Sequence, residues 1–202
     1  MDAAQKFELL RRFFDEVNGR DKAIGKGDKS NSVGVYMPSD LASIKQGIEQ
    51  LDGMIDPAGW FLDGGAGKLQ VALLMAGVYE IPTLAVEYDG ELLIESSYYI
   101  PELKRRGFEV SAPLVMQKGN FLTDEVYKRA GINFCDITTS MNFYSDHLGL
   151  ARKIAKEGKK GSVFIFHGPE RRDRDFSPLK FEREIILRKY YSVDRGLYIY
   201  RK

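Results

Sequence analysis

The sequence predicts an α/β fold: a doubly wound, mostly parallel seven-stranded sheet with a C-terminal antiparallel β-hairpin. Three observations carry this reading. From Trp60 onward, short strand-like runs alternate with helix-like runs, which implies a parallel sheet covered on both faces. The last two strand-like runs follow one another with no helix between them, so they pair as an antiparallel hairpin at one edge. The 202 residues are 44% hydrophobic and 29% charged, which is enough apolar material to build a core and too much for a disordered chain.

The elements follow in order. "AQKFELLRRFFDEV" (Ala3–Val17) puts Phe7, Leu10, Phe13, Phe14 and Val17 at helical spacing, an amphipathic helix that covers its own core or a neighbour's. Asn18–Pro38 is rich in Gly, Lys, Ser and Asn and reads as a long loop, with a basic stretch at Arg20–Lys29. That stretch is a solvated segment, or one that orders over a ligand or an acidic partner. Residues 1–35 are therefore set apart as an N-terminal helix and mobile loop, and 36–202 as the main domain. Ser39 caps a helix through about Leu51, with Leu41, Ile44 and Ile48 on one face.

"WFLDG" is the first strand of the alternating region, followed by a glycine loop and a helix from about Lys68 to Ala76. "TLAVEY" is the second strand, followed by a helix from about Glu91 to Arg106. "PLVMQKG" and "INFCDITTS" are two more, with a short helix around Asp124–Arg129 between them. "DHLGLARKIAKEG" is a helix with Gly158 as its stop, and "GSVFIFHG" is the fifth strand. "KFEREIILRKYY" and "GLYIYRK" form the hairpin, turning at Asp194–Gly196.

Composition excludes several classes. A net charge of +1 gives no global case for nucleic acid or a membrane surface. The single cysteine, Cys135, rules out an internal disulfide and a cysteine-rich zinc site, suits a cytoplasmic location, and falls in a buried strand as packing. His147 and His167 have no metal-ligand spacing. The charged start "MDAAQKFELLRRFF" is not a secretory signal, and no apolar run reaches the roughly 20 residues of a membrane helix.

The glycine loop "DGGAGKLQ" carries the chemistry. A P-loop needs a glycine with four residues between it and the Gly-Lys pair, and a hydroxyl residue after the lysine. Leu62 and Leu69 stand at those places. A dinucleotide fingerprint needs G-x-G-x-x-G, and its third glycine falls on Gln70. An adenosylmethionine loop needs an acid at the strand end and then G-x-G, which Asp63, Gly65 and Gly67 supply. Glu87 ends the second strand, 24 positions past Asp63, where a carboxylate can accept both ribose hydroxyls of an adenosine. That mark serves NAD equally. In "QKGNFL", Asn120 and Phe121 can bond the edge and stack on the face of an adenine. As bland roles, Asp63 is a helix cap, Glu87 a solvated carboxylate, Asn120 a turn residue, and Tyr36 and Phe121 core.

From Tyr36 to Lys202 the chain resembles a class I, seven-β-strand, Rossmann-like S-adenosylmethionine-dependent methyltransferase. It is loosely similar to the small archaeal and mitochondrial protein lysine methyltransferase group. "VYMPSD" gives Tyr36 and Pro38 of a Y-x-P element, and "DGGAGKLQ" keeps Asp63, Gly65 and Gly67 but has Leu69 at the third glycine. "AVEYDGEL" keeps Glu87 and Leu92, "GNFL" has Asn120 in place of an acid, and "GLYIYRK" matches the closing L-Y-x-Y strand. The resemblance implies S-adenosylmethionine as cofactor, bound by Tyr36, Asp63, Gly65, Ala66, Gly67, Glu87, Tyr88, Asn120 and Phe121. It implies a methyl acceptor as partner, a protein lysine favoured over RNA or a small molecule, with no metal. The departures at Leu69 and Asn120 leave an alternative, a catalytically silent adenosylmethionine-binding module. A third reading is an NAD-dependent enzyme.

Methyl transfer from a sulfonium is an in-line displacement, and placement alone gains about 7–11 kcal/mol in well-oriented cases. No strong acid–base group is therefore needed, and no catalytic residue is singled out. The acceptor pocket is expected at the C-terminal edge of the fourth strand. There Thr138, Thr139, Ser140 and Asn142 are polar, and Met141, Phe143 and Tyr144 can wall a pocket. No N-P-P-Y motif is present, which argues against amino-methylation of adenine or of glutamine amides.

Overall fold

The computed structural model describes residues 1–23, 29–31, 34–36, 40–143, 145–169, 176–187 and 195–202. Helix α1 (Ala3–Ala23) leads to a small antiparallel pair, β1 (Lys29–Asn31) and β2 (Gly34–Tyr36), and then to α2 (Leu41–Glu49). Next come β3 (Trp60–Gly64) and α3 (Gln70–Leu73), which widens into a turn of π-helix at Leu74–Val78. The chain continues with β4 (Thr83–Glu87), α4 (Gly90–Ser97), α5 (Tyr99–Arg105), β5 (Leu114–Lys118) and α6 (Asp124–Ala130). It closes with β6 (Ile137–Phe143), α7 (His147–Glu157), β7 (Val163–Pro169), β8 (Lys180–Ile186) and β9 (Arg195–Arg201).

Seven strands form one sheet in the order β5-β4-β3-β6-β7-β9-β8. The pairs among β5, β4, β3, β6 and β7 are parallel, and β9 runs antiparallel to both β7 and β8. The expected sheet and hairpin are thus present, with the later hairpin strand inserted inside the edge. Side chains alternate across a strand, and here that alternation divides the interior in two. Phe61, Ala85, Met141, Ile165, Leu197 and Ile199 face one core with α1, α2, α3 and α5. Leu62, Leu84, Val86, Phe164, Phe166, Tyr198 and Tyr200 face the other with α6 and α7. Both faces are covered, so the sheet is doubly wound. Leu10, Phe13, Phe14 and Val17 of α1 are buried in the first of these cores, with Phe13 and Phe14 edge-on to Tyr99.

Several boundaries differ from the sequence expectation. Helix α1 runs on to Ala23 where a loop was expected from Asn18, because Asp21 in its last turns is buried and paired with Lys68. The helix expected over Glu91–Arg106 is two helices. Pro101 has no N–H to give the Ser97 carbonyl, so the ladder breaks around Tyr98. The fourth large-sheet strand starts at Ile137, not at Ile132, because Asn133 and Asp136 close a capping box around a 3₁₀ turn at Phe134–Asp136. Cys135 sits on that turn and is exposed, not buried in a strand. Asp40, not Ser39, caps α2; Ser39, Pro38 and residues 24–28 of the Arg20–Lys29 stretch lie outside the described residues, as does Asp194 of the expected hairpin turn. Among the described residues no helix is long and apolar enough to cross a membrane, and no cluster of His, Cys, Asp and Glu could hold a metal ion.

Candidate functional site

Strand order reverses between β3 and β6, and crevices at such switch points hold ligands in open α/β sheets. The C-terminal ends of three strands meet there, with Gly64 of β3 level with Val86 of β4 on one side and Asn142 of β6 on the other. The glycine loop leaves β3 at this point. Gly65 (φ +86°), Gly67 (φ +51°) and Leu69 (φ +63°) are all in the left-handed region. Leucine thus adopts a left-handed backbone that glycine takes more readily. This costs about 1–2 kcal/mol, and the fully buried Leu69 side chain holds it in place.

The loop amides turn inward. Gly65 N–H and Ala66 N–H both donate to the Val86 carbonyl, at 2.9 and 3.0 Å. Gly67 N–H donates to Glu87 Oε2 at 2.7 Å, and Asp89 N–H donates to Glu87 Oε1 at 2.8 Å. Three consecutive amides are therefore engaged within the protein and do not form an open nest for phosphate. A carboxylate accepts at about four lone-pair sites, so Glu87 keeps some acceptor capacity beside its backbone donors. Burial raises the Glu87 carboxyl above its ordinary range, against the lowering effect of its backbone donors.

Asp63 is buried beside this loop and accepts from the Ala72 amide at 3.1 Å, the helix-capping contact expected of it in its bland role. Burial first, then the charge of Glu87, push its carboxyl up to about 7, and the Ala72 bond only partly opposes them. Two carboxylates thus share a poorly solvated corner, a setting that favours a cation.

On the other face of the sheet, Asn142 donates from Nδ2 to the Gly64 carbonyl at 2.7 Å and to Ser145 Oγ at 3.2 Å. Its buried Oδ1 accepts no hydrogen bond among the described residues. A Cβ added at Gly64 would lie 3.5 Å from the Phe121 ring and 3.6 Å from Asn142 Nδ2, so those two side chains close over the end of β3. Asn120 forms a turn, its Oδ1 accepting from Leu122 N–H at 2.9 Å, while Tyr88 is 48% exposed beside Glu87.

The structure brings together Asp63, Gly65, Ala66, Gly67, Glu87, Phe121 and Asn142, with Tyr88 and Asn120 on the loops that follow β4 and β5. The Tyr36 side chain and Tyr144 lie outside the described residues. Thr138, Thr139 and Ser140 are not at the C-terminal edge. Thr138 touches Gly59 before β3 begins, and Thr139 and Ser140 pair with Phe61 and Leu62. Four residues of strand, about 13 Å, separate Thr138 from Asn142. The capping box that delays β6 causes this displacement, so Asn142 alone of the four reaches the switch point. Sequence reasoning missed Lys68, whose buried side chain reaches from the loop to Asp21 of α1 and Glu95 of α4. The signal available was a lysine between glycine and leucine where no phosphate motif explained it.

No protein-family model matches the chain, and no curated protein matches it. Solved structures do share its fold. One is an RNA methyltransferase from Salinibacter ruber in complex with S-adenosyl-L-homocysteine (TM-score 0.59, 13% identity, covering 82% of this chain and 93% of that one). Another is fibrillarin from Aeropyrum pernix with natively bound S-adenosyl-L-methionine (0.57, 10%, 79% and 73%). A third is precorrin-6y C5,15-methyltransferase from Geobacter metallireducens GS-15 (0.57, 10%, 86% and 93%). At such identities the likeness is one of fold, a Rossmann-like α/β sheet.

Proposed function

We propose that this protein is an S-adenosylmethionine-dependent methyltransferase. The observation that carries the reading is Glu87: a buried carboxylate at the end of β4, bonded to the amide of Gly67 in a loop bent through left-handed backbone. The residues present suit this cofactor. Glu87 has acceptor sites left for sugar hydroxyls, Gly65 and Gly67 leave backbone without side chains for the amino-acid arm, and Phe121 and Asn120 flank the position of the adenine. Adenosylmethionine carries a net positive charge, and Asp63 and Glu87 supply the opposite sign. NAD would bring a pyrophosphate to a loop whose amides already donate to Val86 and Glu87, so that reading loses its physical basis. When bound, the cofactor supplies an electrophilic methyl group. This chain orients it and desolvates the incoming nucleophile.

The similar structures are named for RNA and precorrin methylation, or, in fibrillarin, for a bound cofactor. The resemblance in sequence favours a protein lysine. A protein lysine is the proposed acceptor, to be set against RNA and small molecules in the assay. Calorimetry with adenosylhomocysteine is the first test, with binding expected in the micromolar range and lost in Glu87→Ala. Absence of binding at millimolar ligand overturns the proposal. Transfer of labelled methyl to panels of lysine-containing proteins, RNA and small molecules then assigns the acceptor. Binding without transfer to any panel returns the silent-module reading.

A further inference from the structure

Lys68 is 2% exposed, and its ammonium lies 2.5 Å from Asp21 Oδ2 and 2.6 Å from Glu95 Oε1. Glu95 Oε1 also accepts from Tyr99 OH at 2.6 Å. Asp21 belongs to α1, 47 positions upstream of Lys68, and Glu95 to α4. The residue thus clamped stands between Gly67 and Leu69, both in the left-handed region. Such backbone persists only where its surroundings over-determine it. Two restraints come from the sheet and core, the Glu87 bond to Gly67 and the buried Leu69 side chain. The third comes from α1, itself fixed by Leu10, Phe13, Phe14 and Val17 in the core.

We propose that Asp21 is a positioning residue for the cofactor's amino-acid arm, acting through Lys68 on the loop Gly65–Leu69. The N-terminal helix then forms part of the binding apparatus although it touches no ligand. This rests on the reading of the loop as the seat of that arm. A buried ammonium that loses one of its carboxylates is under-compensated and shifts to regain charge or water. Lys68 is part of the loop backbone, so the loop moves with it.

The test compares two ligands by calorimetry. Adenosylhomocysteine has the amino-acid arm, and methylthioadenosine lacks it. In Asp21→Asn, a near-isosteric change that removes the charge, adenosylhomocysteine should bind about tenfold more weakly, by analogy with the low end of the scale for outer-shell partners of metal ligands. Methylthioadenosine should change less than about twofold on the same scale. Lys68→Met should show the same pattern, and the double variant should be no weaker than Lys68→Met alone, since the pair acts as a unit. Unchanged affinities, or equal losses for both ligands, overturn the inference and leave the proposed function intact. Failure of the unmodified protein to bind either ligand overturns both. If Asp21→Asn melts below the assay temperature, Asp21→Glu keeps the charge but alters its reach, and the same ratio of affinities decides.

Discussion

The substitution Asp63→Asn should flatten the dependence of stability on pH. The Asp63 carboxyl is buried and raised from an ordinary 3.8 to about 7, chiefly by loss of water and secondarily by Glu87. Between those values the folded protein binds a proton that the unfolded chain has released. Stability from this group is therefore complete below the unfolded value and is lost as pH rises through the folded one. The rise from 3.8 to about 7 corresponds to about 4 kcal/mol. The part lying between pH 5 and pH 8 is about 2.5 kcal/mol by the same conversion. The amide of the Asp63→Asn variant would keep an acceptor for the Ala72 N–H but has no proton to lose. Urea unfolding of both proteins at pH 5, 6, 7 and 8 measures the effect. The gap between variant and unmodified protein should shift in favour of the variant by about 2.5 kcal/mol across that range. Parallel profiles would refute the reasoning, because they would mean that Asp63 is hydrated and titrates as it does in the unfolded chain.

Leu69→Gly relieves a left-handed backbone worth about 1–2 kcal/mol but empties a buried leucine site worth about 2–5 kcal/mol. The variant should therefore melt at a lower temperature by calorimetry, although it restores the usual glycine. Gly65→Ala places a Cβ 2.3 Å from Ser145 Oγ at φ +86°, so it should cost about 1–2 kcal/mol of stability. It should also abolish adenosylhomocysteine binding while the circular dichroism spectrum stays native. Because the Asp63 carboxyl is raised to about 7 and becomes more fully charged as pH rises through that value, the cationic ligand gains most from alkaline conditions. The ratio of adenosylmethionine to adenosylhomocysteine affinity should rise between pH 6 and pH 8 in competition binding, with the steepest change near 7.

The strands of the sheet were readable because each carries its own local signal. "WFLDG" and "TLAVE" are short apolar runs ending in an acid and bounded by glycine or turn residues, and they appear as β3 and β4 almost to the residue. Boundaries set by side chains distant in sequence were not readable. The extra turn of α1 depends on Asp21 meeting Lys68, a pairing that no local pattern encodes. The start of β6 depends on Asn133 and Asp136 choosing a capping box over strand conformation, in a segment whose apolar residues suit either. That single choice left Thr138, Thr139 and Ser140 two to four residues short of the site they were expected to line. Leu69 shows the converse case. A position that reads as a broken motif still adopts a left-handed, glycine-like backbone, held there by packing.

The insertion of β9 between β7 and β8 has a consequence for biosynthesis. Within the sheet, β8 is hydrogen-bonded to β9 alone. Emerging from a ribosome, Lys180–Ile186 would find no edge to join, since the position beside β7 is reserved for a segment not yet translated. The sheet is completed when the later-made strand docks against β7, alone or already paired with β8. Until Arg195–Arg201 arrives, β7 presents an open flank to other chains, and a nascent protein halted at that stage is the species chaperones would need to shield.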